Sequence, residues 1–140
     1  AGYAAEMAWV TETDLNAIQA RCDIISLHLP LTDETKHLVD EAFIGRCKSG
    51  FVLINTARGG CVKTADVVTA LENGRMGGAC LDVFENEKTA TYSAAEQELY
   101  GRLNRMENTV LSPHVAGWTK ESKIRLAEVL FDKIKAVLKL

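Results

Sequence analysis

Two rhythms of apolar residues alternate along the chain. Asp23-Ile24-Ile25-Ser26-Leu27-His28-Leu29 is a short apolar run with adjacent β-branched residues, stopped by Pro30. It predicts a buried strand over 23–29. Asp40 to Arg46 reads as a short helix with Asp40 as its N-cap. Phe51-Val52-Leu53-Ile54-Asn55 follows Gly50 and predicts a second buried strand. Thr64 is then expected to cap a helix through Ala65, Val68, Ala70 and Leu71, with Gly74 as its left-handed stop. Gly78-Ala79-Cys80-Leu81-Asp82-Val83 is the third expected strand, and its small residues leave room for a helix to pack closely. Ser93 with Glu96 three residues on forms a capping box for a helix to about Asn104. Thr109-Val110-Leu111 predicts a fourth, short strand. Thr119 caps a last helix whose apolar residues, Ile124, Leu130, Phe131, Ile134 and Val137 among them, follow helical spacing.

Strands that alternate with helices, and that are continuously apolar, belong to a parallel sheet covered on both faces. The fold class is therefore α/β, with no internal repeat and no linker. The stretch from Glu85 to Ala95 is the one long polar loop, and loops of that length are often functional. The 140 residues suffice for one domain, and 47% hydrophobic with 25% charged residues argues against disorder. A net charge of -3 gives no footprint for nucleic acid. No apolar run reaches the roughly 20 residues that span a bilayer. The cysteines Cys22, Cys47, Cys61 and Cys80 are scattered without a CxxC pair or Cys/His cluster. They read as reduced core or near-core thiols of a cytoplasmic protein, and no metal site is expected.

In an open parallel sheet ligands bind beyond the carboxyl ends of the strands. The second strand is followed by Asn55-Thr56-Ala57-Arg58-Gly59-Gly60, the third by Asp82-Val83-Phe84-Glu85-Asn86-Glu87, and the fourth by Ser112-Pro113-His114-Val115-Ala116-Gly117. Taken singly, Arg58, Glu87 and His114 are ordinary surface or capping residues; at successive strand ends they make a chemistry. A 2-oxo acid presents a carboxylate beside a carbonyl, and the planar fork of Arg58 suits both. Hydride addition leaves charge on the carbonyl oxygen, and His114 is the natural proton donor. A carboxylate on its other ring nitrogen, assigned to Glu87, favours the imidazolium and fixes the tautomer.

These three motifs in order resemble the D-isomer-specific 2-hydroxyacid dehydrogenases, to which the phosphoglycerate dehydrogenase group belongs. The segment from Cys22 to Thr32 fits as well, and the resemblance runs from about Leu15 to the final helix. It implies a Rossmann-like, doubly wound parallel sheet, of which this chain carries the second half of the NAD-binding domain. It implies catalysis by Arg58, Glu87 and His114, with NAD as cofactor. Leu29, Pro30, Thr56, Ala57, Arg58, Asp82, His114, Ala116 and Gly117 are the implied cofactor contacts. The implied substrate is a small 2-oxo or 2-hydroxy acid, and the implied assembly is a homo-oligomer without nucleic-acid or membrane partners. Residues 1–118 form the partial dinucleotide-binding domain, and 119–140 a helix returning toward the substrate domain. The alternative is a non-catalytic, NAD-responsive binding protein like the C-terminal binding protein corepressors, or an inactive fragment.

Lys88 replaces the proline that commonly follows the catalytic Glu, and Trp118 stands where a small or hydroxyl residue is usual. The stretch from Glu87 to His114 is also longer than in many members. The opening Ala1-Gly2-Tyr3-Ala4-Ala5 carries neither Met nor a capping or strand signal, and a fragment is the expected origin. The family's Gly-x-Gly-x-x-Gly turn, with its first βαβ unit, is expected upstream of Ala1. On that expectation the isolated chain binds NAD weakly, and the strand over 23–29 presents an unpaired edge.

Overall fold

The computed structural model describes residues 8–139. The opening residues Ala1 to Ala5 lie outside them. In chain order the elements are α1 (Leu15–Arg21), β1 (Ile24–Leu27), α2 (Glu41–Arg46), β2 (Phe51–Asn55), α3 (Thr64–Glu72), β3 (Met76–Leu81), α4 (Ala94–Asn104), β4 (Thr109–Leu111) and α5 (Lys120–Leu138). The four strands form one parallel sheet in the order β1-β2-β3-β4. Parallel β-units close with right-handed crossovers, so a consecutive order places α2, α3 and α4 on the same face. Burial agrees with that placement. Ile25 and Leu27 of β1, Leu53 and Asn55 of β2, and Ala79 and Leu81 of β3 share the covered face. On the other face Ile24 and Val110 are 60% and 65% exposed. Among the described residues the sheet is thus covered on one side, where the apolar strands predict cover on both.

The core lies between that face and the helices, with Phe43, Phe51, Leu53, Met76 and Leu103 all under 2% exposed. Each such side chain contributes about 1.5–3 kcal/mol by leaving water. The sequence pattern does not reveal α1, because its inward residue is polar. Gln19 is 1% exposed, donates from Nε2 to the Phe43 carbonyl at 3.4 Å and accepts from Arg46 Nε at 3.3 Å. The caps of α2, α4 and α5 are the expected ones, Asp40, Ser93 with Glu96, and Thr119. The helix expected behind a Thr64 cap instead begins at Thr64, and its first N–H is met from elsewhere in the chain. Gly74 takes the left-handed stop, at φ 73°.

The third strand starts two residues earlier than its apolar run, at Met76, and ends before Asp82. Its glycines admit neighbouring main chain, where a helix contact is the expected reason for small residues. A Cβ on Gly77 would lie 2.3 Å from the Gly50 carbonyl oxygen, and one on Gly78 2.9 Å from that of Asn108. The first strand is also shorter than 23–29, pairing with β2 only over Ile24–Leu27. All four cysteines are free thiols, Cys47 and Cys61 buried. Burial pushes the Cys47 thiol up to about 11 against the pull of Arg75 and Arg46.

No residue of α5 is buried, and Ile124, Leu130, Phe131 and Val137 are all at least 60% exposed. Its amides are protected only by the helix itself. Hydrogen exchange in the isolated chain is therefore expected to be fast along α5 and slow in β2; protection of α5 equal to that of β2 contradicts this placement. Gly77→Ala should destabilise the chain by about 1–3 kcal/mol, read as a lower urea midpoint with an unchanged slope.

Candidate active site

Parallel strands bring their carboxyl ends to one edge, and the loops leaving β2, β3 and β4 meet there. Asn55 shapes the first. It is fully buried, accepts from Ala57 N–H at 3.0 Å and donates to the Arg58 carbonyl at 3.0 Å. This side-chain turn fixes the three residues that end in Arg58. The Arg58 guanidinium donates to the Ala57 carbonyl at 2.6 Å. Gly59 follows because nothing larger fits: a Cβ there would lie 1.9 Å from the Phe84 carbonyl oxygen. The loop carrying Arg58 is thereby pressed against the loop carrying Glu87.

Glu87 and His114 meet directly. The His114 Nδ1 lies 2.9 Å from Glu87 Oε2, and the other carboxylate oxygen accepts from Phe84 N–H at 3.4 Å. An ionised carboxylate only accepts, so this bond sets the neutral ring as the Nδ1–H tautomer and leaves Nε2 free to exchange a proton. Both side chains are partly open to solvent, 49% for His114 and 41% for Glu87. A cavity of about 240 Å³ lies beside them, lined by Phe84, Glu87, Thr89, Tyr92, Pro113 and His114.

His114 takes a left-handed backbone, at φ 56°, which costs a residue with a Cβ roughly 1–2 kcal/mol. Asp82 holds it there. The Asp82 carbonyl accepts from His114 N–H at 2.8 Å. Its carboxylate accepts from Ser112 Oγ at 2.6 Å, Val115 N–H at 2.8 Å and Ala116 N–H at 3.0 Å. Burial raises the Asp82 carboxyl, but these hydrogen bonds and the nearby His114 charge outweigh it and hold the group below its ordinary value. Asp82 is 4% exposed with both oxygens engaged. The structure thus shows it bracing the His114 segment, a contact not foreseen in the sequence beside its implied part at the cofactor.

Thr56, Pro30, Ala116 and Gly117 are exposed, Leu29 is 38% exposed, and Ala57 is half-buried. Around Gly117 no atom stands within 4 Å of where a Cβ would be. An open rim of small, apolar and main-chain groups at the strand ends leaves room for the ring and sugar of a dinucleotide, so the residues fit a cofactor there. No cluster of three metal-binding side chains occurs among the described residues. No described helix is long and apolar enough to cross a membrane.

Residues 3–116 match the sequence profile of the D-isomer specific 2-hydroxyacid dehydrogenase NAD binding domain. The chain belongs to this family. The glyoxylate reductase of Thermofilum pendens is 39% identical across 98% of this chain and 40% of that protein. The D-lactate dehydrogenase kk1H of Curvularia clavata is 38% identical across 82% of this chain and 34% of its own length. Among solved structures, the D-lactate dehydrogenase of Lactobacillus jensenii with NAD+ superposes with a TM-score of 0.79 at 32% identity, over 93% of this chain and 41% of that one. The enzyme of Aquifex aeolicus complexed with NAD and lactic acid gives 0.75 at 35% identity, over 91% and 40%. The chain thus spans about two-fifths or less of the length of these relatives, and the matched part is the family's NAD-binding domain.

Glu96 is held down at about 2, from an ordinary 4.5, by hydrogen bonds from the Asn86 side chain and from Ser93. A depressed carboxyl contributes stability that is complete above its ordinary value and is lost as pH falls through its folded one. The Glu96 anchor of the Glu87 loop should therefore weaken between about pH 4.5 and 2. Asp82, lowered from an ordinary 3.8, should give up its hold on the His114 segment below that ordinary value. Near-ultraviolet circular dichroism of Tyr92 and Tyr100, which stack at 4.8 Å and bond Asn86, should follow the first; a tyrosine signal unchanged across that window contradicts it.

Proposed function

We propose that this chain supplies the catalytic groups of an NAD-dependent dehydrogenase that interconverts 2-oxo acids and D-2-hydroxy acids. The observation that carries the reading is the 2.9 Å bond between His114 Nδ1 and Glu87, at a strand-end cleft in a chain of this family. Bound NADH would supply the hydride for reduction of the 2-oxo acid, and NAD+ would accept it in the reverse direction. The residues of this chain do the rest. The Arg58 guanidinium binds the substrate carboxylate and orients the neighbouring carbonyl. His114, with Nδ1–H donated to Glu87, delivers a proton from Nε2 to the carbonyl oxygen as charge develops there. In the reverse direction the neutral Nε2 takes the proton of the hydroxyl. Asp82 keeps His114 in reach of that oxygen without touching substrate. Leu29, Pro30, Thr56, Ala57, Ala116 and Gly117 form the rim against which the cofactor lies, with Asp82 as the brace behind it.

The exposed apolar stripe of α5 fits the same reading. The relatives are more than twice as long as this chain by the coverage of 34–40%, and the stripe is suited to packing on the substrate-binding part of such a protein.

The test is oxidation of NADH by the complete polypeptide carrying this sequence, with a panel of 2-oxo acids. Turnover is expected, and His114→Ala should cut kcat by about 10²–10⁴-fold, the usual worth of a positioned proton donor. Glu87→Gln should cost less, and Arg58→Lys should act mainly on KM, because an ammonium cannot make the paired bonds of the fork. Binding of NADH without turnover of any 2-oxo acid would favour the non-catalytic, corepressor-like alternative.

A further inference from the structure

The catalytic scheme leaves a second carboxylate–imidazole pair without a task. Glu85 lies two residues before Glu87. Its Oε1 is 2.8 Å from His37 Nε2, and its Oε2 accepts from Thr64 N–H at 2.7 Å. His37 stands in the left-handed region at φ 52°, and its own N–H donates to the Gly60 carbonyl at 2.8 Å. Thr64 opens α3 directly after the Arg58 loop. One carboxylate therefore joins three segments: the chain leaving β1 through His37, the chain leaving β2 through Thr64, and the chain leaving β3, on which Glu85 itself sits.

Its neighbour is fixed just as fully. Asn86 donates its N–H to Tyr100 Oη at 3.3 Å, accepts from Tyr92 Oη at 3.1 Å and donates from Nδ2 to Glu96 at 2.9 Å. Glu87, in contrast, has only the long 3.4 Å bond from Phe84 N–H besides His114. A bond at that length holds little by itself. The place of Glu87 is thus set by the two residues ahead of it.

We propose that Glu85 is a positioning residue: by bridging His37 and the Thr64 N–H, it holds the Glu87 loop in register with the Arg58 loop, so that Glu87 reaches His114. This rests on the reading of Arg58, Glu87 and His114 as the catalytic set. The position needs two acceptor sites at the reach of a Glu side chain, or an acceptor and a donor at the same reach. Gln meets the second condition, since its carbonyl can take the Thr64 N–H while its amide donates to the His37 ring. Asp is a methylene too short, and Ala offers nothing.

The ring nitrogens of His114 report the outcome directly. Nitrogen-15 spectra of the chain, above the pH at which the ring loses its charge, are expected to show His114 as the Nδ1–H tautomer. Glu85→Ala should move it toward the Nε2–H form that a free imidazole prefers, and Glu85→Gln should leave it in place. In the complete polypeptide the Ala variant should lose about tenfold in kcat with KM for NADH little changed, and Gln should restore it. His37→Ala, which keeps the Thr64 N–H capped, should shift the tautomer in the same direction and serves if Glu85→Ala does not fold. A folded Glu85→Ala or His37→Ala variant whose His114 stays Nδ1–H overturns the proposal. The tautomer is read without substrate, so a failure of the dehydrogenase reading would show in the turnover assay and leave this result distinct.

Discussion

The buried carboxylate of Asp82 is the contact on which the site depends. A histidine in the left-handed region is an unfavourable local state, and His114 occupies it because Asp82 grips the segment on both sides: the Ser112 hydroxyl before it and the Val115 and Ala116 amides after it. Asp82 is itself fixed by the sheet, since it follows the last residue of β3 and its N–H bonds to the Asn55 carbonyl. Asn55 in turn shapes the Arg58 turn. The Arg58 turn and the His114 segment are therefore set by two adjacent polar residues at neighbouring strand ends. Both are almost fully buried; Asn55 bonds to main chain, and Asp82 to the Ser112 hydroxyl and two main-chain amides. Removing such a partner leaves several main-chain groups without their bonds at once, which costs more than a single bond contributes.

The four strands, α2, α4 and α5 with their caps, and the meeting of Glu87 with His114 beyond the strand ends were legible in the sequence, because each rests on local pattern: apolar period, capping residue, or position after a strand. What was not legible depends on distant partners. Gln19 disguises α1, since a buried amide satisfied by Phe43 and Arg46 looks like a surface residue in the sequence. Thr64 carries the composition of a cap, yet Glu85, from 21 residues further along the chain, meets its N–H. The glycines of β3 look like helix-packing positions and instead face the carbonyls of Gly50 and Asn108. For Asp82, the proximity to a left-handed His was the missing signal. A carboxylate directly after a strand and thirty residues before a Ser-Pro-His turn is suggestive only once the parallel register is known.

The same register explains why Glu87 and His114 can be partly exposed and still well placed. Glu87 and His114 are each more than two-fifths open to water, and an exposed ion pair contributes little to stability. Their bond is not what holds the loops. The loops are held one layer down, by Asn55, Asp82, the close contact of Gly59 with Phe84, and the anchors of Glu85 and Asn86. A site built this way separates two demands. Hydrogen bonds made largely to main chain fix the geometry beneath, and the Glu87 and His114 side chains above remain open to water. Substitutions in the lower layer should therefore disturb geometry and stability together, whereas changes to the exposed pair should leave the fold intact. That division follows from where the hydrogen bonds are: Asn55 and Asp82 bond mostly to main chain beneath, and the Glu87 and His114 side chains bond chiefly to each other above.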